Sequence, residues 1–536
     1  MHDVVIRGGA ILDGSGGPPR DGDVAIDGDR IAAVGAVPDR GRVELDAAGL
    51  AVAPGFINML SWAAPSLFHD GRSQSDIRQG VTLEVFGEGW SLGPVNDVMR
   101  REMVEQQADI KYDITWTTLA EGLNALAARG IAPNIASFVG AATVRIHELG
   151  HADRAPTPDE LARMRGLVDR AMRDGALGLG SALIYAPATY ADTDELVALA
   201  EVAGRHGGMY ISHMRSEGGR LIEAMEELIA IARRARLPAE IYHLKQAGRA
   251  NWTKLDDAIA VIERARADGL AITADMYPYE AGATGLSSCF PPWAHEGGVD
   301  ALLARLRDGG QRARIRDEMS RPGVDWENLF VEAGSPDGIL LSQFKNERLK
   351  PLTGKRLAEV AWERGGDPRD VAMDLVLEDR SRVGAIYFMI SPDNLKREIA
   401  LPWMSFGSDA GSLAPEGVFL RSQPHPRAYG TFARVLGRFV RDEQAITLTE
   451  AVHRLTSLPA TTLKLDRRGA LRPGFFADVA VFDPGRIQDH ATYSEPHRYA
   501  TGMRHVLVNG APVLRDGEHT DARPGRVLLG PGARGD

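Results

Sequence analysis

The chain has 536 residues, with 62 Lys and Arg against 73 Asp and Glu, a net charge of −11, and 44% apolar and 25% charged residues. That length exceeds one ordinary domain and suits a large barrel with accessory parts, and the composition excludes general disorder. The acidic balance argues against a nucleic-acid platform. One cysteine, Cys289, excludes an intramolecular disulfide and a Cys-rich zinc module. The opening residues lack a signal peptide's basic flank and apolar core, and no apolar run approaches the roughly 18 residues of a membrane span. A cytoplasmic enzyme with no membrane or nucleic-acid partner is expected.

In chain order, residues 1 to about 55 read as short strands. Asp3-Val-Val-Ile-Arg alternates, Asp13-Gly-Ser-Gly turns, and a hairpin is expected around Asp27-Gly-Asp. The pattern then changes to apolar strand followed by amphipathic helix. Strands are expected over 51–60, 82–88, 134–140, 176–183, 208–213, 239–245, 271–277 and 403–409. Helices are expected over 157–174, 194–206, 220–236 and 255–268, with Thr157-Pro-Asp-Glu as a start signal. Eight such strands predict an α/β chain built on a (β/α)8 TIM-like barrel, a doubly wound sheet being the competing reading. Residues 290–350 lack the rhythm and read as an inserted subdomain. Strand texture returns in 471–483 and around Asn509-Gly, so both termini are expected to share a small β-sandwich domain. The expected division is 1–55 with 466–536 for that domain, and 56–289 with 351–465 for the barrel.

Two constellations compete for a metal. Val144-Arg-Ile-His147-Glu148-Leu-Gly-His151 is an H-E-x-x-H, which on a helix would place two imidazoles on one face with Glu148 as the base of a zincin-type protease. Gly150 and the following Ala152-Asp-Arg-Ala-Pro-Thr-Pro break any helix there, and no third ligand follows, so surface loop histidines are the better reading. The second constellation lies at strand ends: Phe86-Gly-Glu88, Tyr210-Ile-Ser-His213, Ile241-Tyr-His243 and Phe406-Gly-Ser-Asp409. In a parallel barrel the C-terminal strand ends converge on one face. Two imidazoles and a carboxylate suit zinc with an open coordination position, and a further carboxylate can move a proton.

These residues, with their surroundings, resemble the amidohydrolase superfamily and, within it, the N-acyl-D-amino-acid deacylases (D-aminoacylases). The likeness covers nearly the whole chain. It is carried by Ala53-Pro-Gly-Phe-Ile, Gly80-Val-Thr, Leu183-Ile-Tyr185-Ala-Pro187, Ser212-His-Met-Arg-Ser-Glu217, Tyr242-His-Leu-Lys245, Asp275-Met-Tyr-Pro-Tyr279, Gly407-Ser-Asp409, His425-Pro-Arg427-Ala-Tyr-Gly and Arg472-Pro-Gly-Phe-Phe-Ala-Asp. The resemblance implies a metal-dependent barrel, a β domain made from both chain ends and an insertion after the seventh strand. It implies His213 and His243 as metal ligands, Asp409 as general base, Arg427 as the holder of a substrate carboxylate, and Tyr185 and Tyr279 as pocket walls. Lys245 is expected to support the site.

The sequence departs from the family twice. Where members carry H-x-H after Pro-Gly-Phe-Ile, this chain reads Asn58-Met-Leu60-Ser-Trp62. Where they carry a bridging cysteine near the second strand, Glu88 is the simplest replacement. Leu60 and Trp62 cannot ligate a metal, so one divalent ion, zinc first, is expected on Glu88, His213 and His243. The expected reaction is hydrolysis of an amide C–N bond in a small molecule, an N-acyl-D-amino acid or a related amide. A barrel that has lost its chemistry is the remaining alternative; no oligomeric state follows from the sequence.

Overall fold

The computed structural model describes residues 1–534. Its centre is a ring of parallel strands: Phe56–Asn58, Val81–Phe86, Asn134–Ser137 continued by Val139–Gly140, Gly178–Ala182, Met209–His213, Ala239–Ile241, Ile272–Met276 and Met404–Phe406. Consecutive strands pair in parallel register, as in Phe86 with Ser137, Ser181 with Ser212, and Met276 with Phe406. The last strand returns to the first. Met59 N–H donates to Phe406 O at 3.2 Å, Asp409 N–H to Leu60 O at 2.8 Å, and Ser61 bridges Ala410. The approach needs a glycine, because a Cβ on Gly407 would lie 2.8 Å from Leu60 N. A doubly wound sheet would have two free edges; this one closes, in all eight expected places.

The helices follow from sequence spacing. Pro158–Arg173 opens on a capping box between Thr157 and Glu160 and buries Met164, Leu167, Val168, Ala171 and Met172, the 3–4 spacing of one helical face. Thr193–Arg205, Leu221–Ala235 and Leu255–Ala267 lie within a residue of their expected bounds. Among the described residues no helix is long and apolar enough to cross a membrane.

Strands from both chain ends share one nine-stranded sheet, in which Val479–Phe482 runs antiparallel to Ala51–Pro54. Its own apolar core includes Val4, Ile6, Val24, Ile26, Val52, Val479 and Leu507. The expected boundaries need two corrections. Residues 525–530 leave the sheet and run beneath the barrel, with Gly525 N–H to Ile131 O (2.9 Å), Leu528 N–H to Ile135 O (2.8 Å) and Gly530 N–H to Gly175 O (2.8 Å). The insertion is wider than 290–350. A three-stranded antiparallel sheet joins Ala281–Gly285 and Ile339–Gln343 to Gly384–Phe388, so the excursion spans 281–388. Helices Leu357–Arg364 and Pro368–Asp379 belong to it. Leu357–Arg364 buries Leu357, Val360 and Ala361 at the spacing of a barrel helix, and the long-range pairing of 281–285 with 384–388 is what places both helices in the excursion.

The helix Ala141–Leu149, after the third strand, is fixed to Thr193–Arg205 by a buried ion pair. Arg145 Nη1 lies 2.5 Å from Glu195 Oε2, and the two side chains are 1% and 4% exposed. Removing one partner leaves an uncompensated buried charge, whereas replacing both by apolar groups does not. Arg145→Met should therefore lower stability by about 3–5 kcal/mol, measured by denaturant midpoint. Arg145→Met with Glu195→Leu should recover most of the loss; equal losses in single and double variants would show that packing, not charge, is at stake.

Candidate active site

The C-terminal ends of the barrel strands carry the polar groups, and local backbone geometry aims them. Gly87 has φ +109°, and a Cβ there would lie 2.5 Å from Phe138 O, so only glycine permits the turn that delivers Glu88 inward. His213 ends the fifth strand. His243 follows the sixth by two residues at φ +33°, held there by its own N–H donating to Asp275 Oδ1 at 2.9 Å. Asp409, beyond the eighth strand, sits at φ +48°. His243 and Asp409 are thus both held in left-handed backbone at the same strand-end face.

Glu88 Oε1 lies 3.1 Å from His213 Nδ1 and 2.9 Å from His243 Nε2. The ligand-type atoms of these three buried residues all fall within 4.8 Å of one another. Burial opposes the Glu88 charge, but hydrogen bonds from both imidazoles outweigh it and hold the carboxyl below its ordinary value. Behind the histidines stands Glu217: its Oε1 is 2.9 Å from His243 Nδ1 and 2.5 Å from Lys245 Nζ. The His213, Lys245 and His243 charges likewise overcome burial and keep Glu217 ionised. A carboxylate on the far nitrogen of a ligand histidine is the usual second layer of a metal site, fixing tautomer and ring orientation. One carboxylate and two imidazoles, with the remaining coordination directions facing the cleft, fit one zinc-type ion.

The cleft over these residues has a volume of about 640 Å³, and its walls include Trp62, Tyr185, Tyr277, Asp409 and Arg427. Asp409 Oδ2 lies 2.8 Å from Arg427 Nη1. Burial raises the Asp409 carboxyl above the usual carboxylate range; Arg427 pulls it down and the nearby Glu88 charge pushes it up. Arg427 is itself 3% exposed; besides the Nη1 ion pair with Asp409, its Nη2 donates to Ala283 O at 3.4 Å, and its Nε has no hydrogen-bond acceptor. Its guanidinium lies 4.4 Å over the Tyr277 ring. Tyr185 lies in the cleft wall, its ring 5.3 Å from that of His213. Tyr279 does not. It packs behind the wall against His425 and beneath the Arg434 guanidinium, and Tyr277, two residues earlier, holds the place expected of it. Lys245 borders the cleft, but its ammonium is tied to Glu217 and the back of His243, which makes it a support for the histidine.

The H-E-x-x-H residues do not converge. A helix does form over Ala141–Leu149, contrary to the loop expected, but Gly150 at φ +61° ends it before His151. His147 pairs with the adjacent Glu148 at 3.0 Å, Glu148 pairs with Arg163 at 2.6 Å, and His151 pairs with Glu102 at 2.9 Å. Among the described residues the one convergent group of three metal-ligand side chains is Glu88, His213 and His243. Two groups at the site escaped sequence reading as functional parts. Glu217 lies in the quoted Ser212-His-Met-Arg-Ser-Glu217 run, where its spacing from His213 was the available signal. Glu327 arrives from the insertion, its Oε2 accepting from Glu217 N–H at 2.5 Å, and nothing local in the sequence points to it.

Residues 398–514 match the amidohydrolase family. D-aminoacylase of Alcaligenes xylosoxydans xylosoxydans is 34% identical over 531 residues, which cover 98% of this chain and 97% of that one. The chain belongs to the N-acyl-D-amino-acid deacylase family of amidohydrolases. A solved D-aminoacylase structure, 32% identical, superposes with a TM-score of 0.82 over 99% of this chain and all of that one; its binuclear metal centre is described as activated by one metal and attenuated by the second. The N-acyl-D-glutamate deacylase of Bordetella bronchiseptica, solved with zinc and a phosphonate mimic of the tetrahedral intermediate, is 31% identical. Its TM-score is also 0.82, over 98% of this chain and 99% of that one. Membership in this deacylase family removes the zincin alternative, as the dispersed His147, Glu148 and His151 already did.

The two constellations are separable by metal content. His147→Ala with His151→Ala should leave bound metal close to wild type, because both imidazoles are engaged in surface pairs. His213→Ala or His243→Ala should lose most of it, since two remaining ligands hold zinc poorly. Elemental analysis of the purified variants decides, and the reverse pattern would move the site to the helix after the third strand.

Proposed function

We propose that this metal-dependent amidohydrolase deacylates N-acyl-D-amino acids, using one divalent ion, zinc first, held by Glu88, His213 and His243. The observation that carries this reading is one cleft holding three ligand atoms within 4.8 Å, a raised carboxyl on Asp409 and, paired with it, a buried Arg427 whose Nε has no acceptor. The bound ion supplies Lewis acidity, polarising a carbonyl and lowering the pKa of water.

The chain's own residues supply the rest. Asp409 stands beside the ligand cluster with its carboxyl raised toward the range useful to a general base. It takes one proton of the attacking water and returns it to the amide nitrogen as the C–N bond breaks, giving a carboxylic acid and an amine; the acid's proton then passes to the amine, and the products are a carboxylate and an ammonium. Arg427, with Nη1 paired to Asp409, offers a buried, unused Nε–H on a planar group already braced against Tyr277. A carboxylate of the substrate would accept from this Nε–H, with Nη2 on the same edge of the fork as the second donor. Glu217 and Lys245 hold His243 from behind, keeping its Nε2 aimed into the cleft.

Asp409→Asn preserves shape and removes basicity, so kcat should fall by roughly two to four orders of magnitude with metal content unchanged. Metal lost in proportion to activity would make Asp409 a ligand.

Arg427→Lys should lower kcat/KM for N-acyl-D-amino acids by about tenfold or more beyond any loss on the matching N-acyl amino amides, about 1.4 kcal/mol. The amide control is needed because Arg427 also neighbours Asp409, so part of the loss will be common to both substrates. Equal losses on acid and amide would make the arginine a partner of Asp409 only, and would remove the reason for preferring free acids.

A further inference from the structure

Trp62 does something in this cleft that the loss of two histidines does not explain. Its indole N–H points between the two carboxylates, 2.9 Å from Glu88 Oε2 and 3.1 Å from Asp409 Oδ1. We propose that this N–H is a built-in substitute for a second cation, a positioning group that bridges Glu88 and Asp409, fixes both, and restricts the chain to a single ion. The inference rests on the one-ion reading above and deepens it.

The geometry puts a hydrogen-bond donor between the two carboxylates that a second ion would have to share. A zinc shared by Glu88 and Asp409 would lie about 2.0–2.2 Å from an oxygen of each, in the gap that the indole N–H fills. The indole nitrogen is a donor only and cannot ligate. Leu60, the other position of the missing H-x-H, is 1% exposed and packed into an apolar cluster with Met59, Val85 and Phe138. Trp62 is held in place by its own backbone, its N–H donating to Ala410 O at 2.9 Å beside the strand-closing bridge of Ser61 and Ala410.

The bridge also divides labour between oxygens. Oε2 of Glu88 takes the indole, leaving Oε1 toward both imidazoles. Oδ1 of Asp409 takes the same N–H, leaving Oδ2 toward Arg427. In the related D-aminoacylase one metal activates and a second attenuates. Here the neutral N–H orders the two carboxylates without the charge, so Asp409 stays free to take a proton whatever the zinc concentration.

The test uses the full-length chain, stripped of metal and titrated with zinc by calorimetry, with elemental analysis and rates at one equivalent and in excess zinc. Wild type should take up one ion and keep its rate in excess zinc. Trp62→Phe keeps a ring and removes the N–H; zinc affinity should fall by about tenfold or more and kcat similarly, with KM little changed, as for loss of an outer-layer partner. Leu60→His with Trp62→His should take up a second ion and slow in excess zinc. A Trp62→Phe variant with wild-type zinc affinity and kcat, or a wild type that takes up two ions, overturns the inference; so does a double variant that still binds one. A folded wild type that binds no zinc, or whose zinc binding survives Glu88→Ala, overturns the one-ion reading itself. Thermal unfolding of Trp62→Phe close to wild type keeps the affinity change attributable to the lost N–H.

Discussion

Burying a carboxylate costs several kcal/mol unless its charge is met, and Glu88, 4% exposed, is met on both sides by imidazoles from different strands. The second, fifth and sixth strands must end at one level for that contact to exist, which is what a closed parallel ring provides. The positive φ at Gly87 and His243 is the local consequence, since each turn brings a side chain over the ring's mouth. The same arrangement that neutralises Glu88 gathers three metal-ligand atoms in one place. Stability of the floor and capacity for a metal are therefore the same interaction seen with and without an ion.

Around that floor the charges are layered so that none stands alone. Glu217 receives His243 and Lys245, and Glu327 from the insertion receives the Glu217 backbone N–H. Burial and the Glu217 charge push Glu327 up to about 8, so it approaches Glu217 as a neutral acid near neutral pH and adds no repulsion. The insertion is thus part of the site's second layer as well as its roof. On the opposite side Trp62 and Arg427 divide the two oxygens of Asp409. Arg427, paired through Nη1 with Asp409, keeps a buried Nε that lacks an acceptor. Leaving a donor unpaired in a buried site is costly, which favours the proposed binding of a substrate carboxylate there.

Several features were legible before any coordinates. The eight strands follow from short apolar runs, and the helices between them from 3–4 spacing with capping residues such as Thr157 and Glu160. The demotion of His147 and His151 rested on Gly150, and that glycine does end the helix. What failed was local pattern where the deciding contact is distant. Helices 357–364 and 368–379 look like barrel helices until Gly384–Phe388 is seen pairing with Ala281–Gly285. The C-terminal residues look like more of the terminal sheet until Leu528 N–H meets Ile135 O. Tyr279 and Tyr277 are both plausible wall residues in one short motif, and packing against His425 and Arg434 chose between them.

The sequence by itself determined the residue inventory: a strand-end Glu, two strand-end His, an Asp and an Arg, with Leu and Trp in place of a histidine pair. It also determined the order of strands, because hydrophobic period and turn chemistry are encoded within a few residues of each other. Only the tertiary structure decided what those residues do to one another. The four strand-end groups, Glu88, His213, His243 and Asp409, are separated by 30 to 321 positions. Their mutual distances, the Glu217 and Glu327 layer behind them and the indole N–H between two carboxylates depend on ring closure at Gly407 and Leu60. Trp62 reads in sequence as the loss of a ligand; in the folded cleft it is a hydrogen-bond donor in that ligand's place, because orientation is a property of packing and not of residue type.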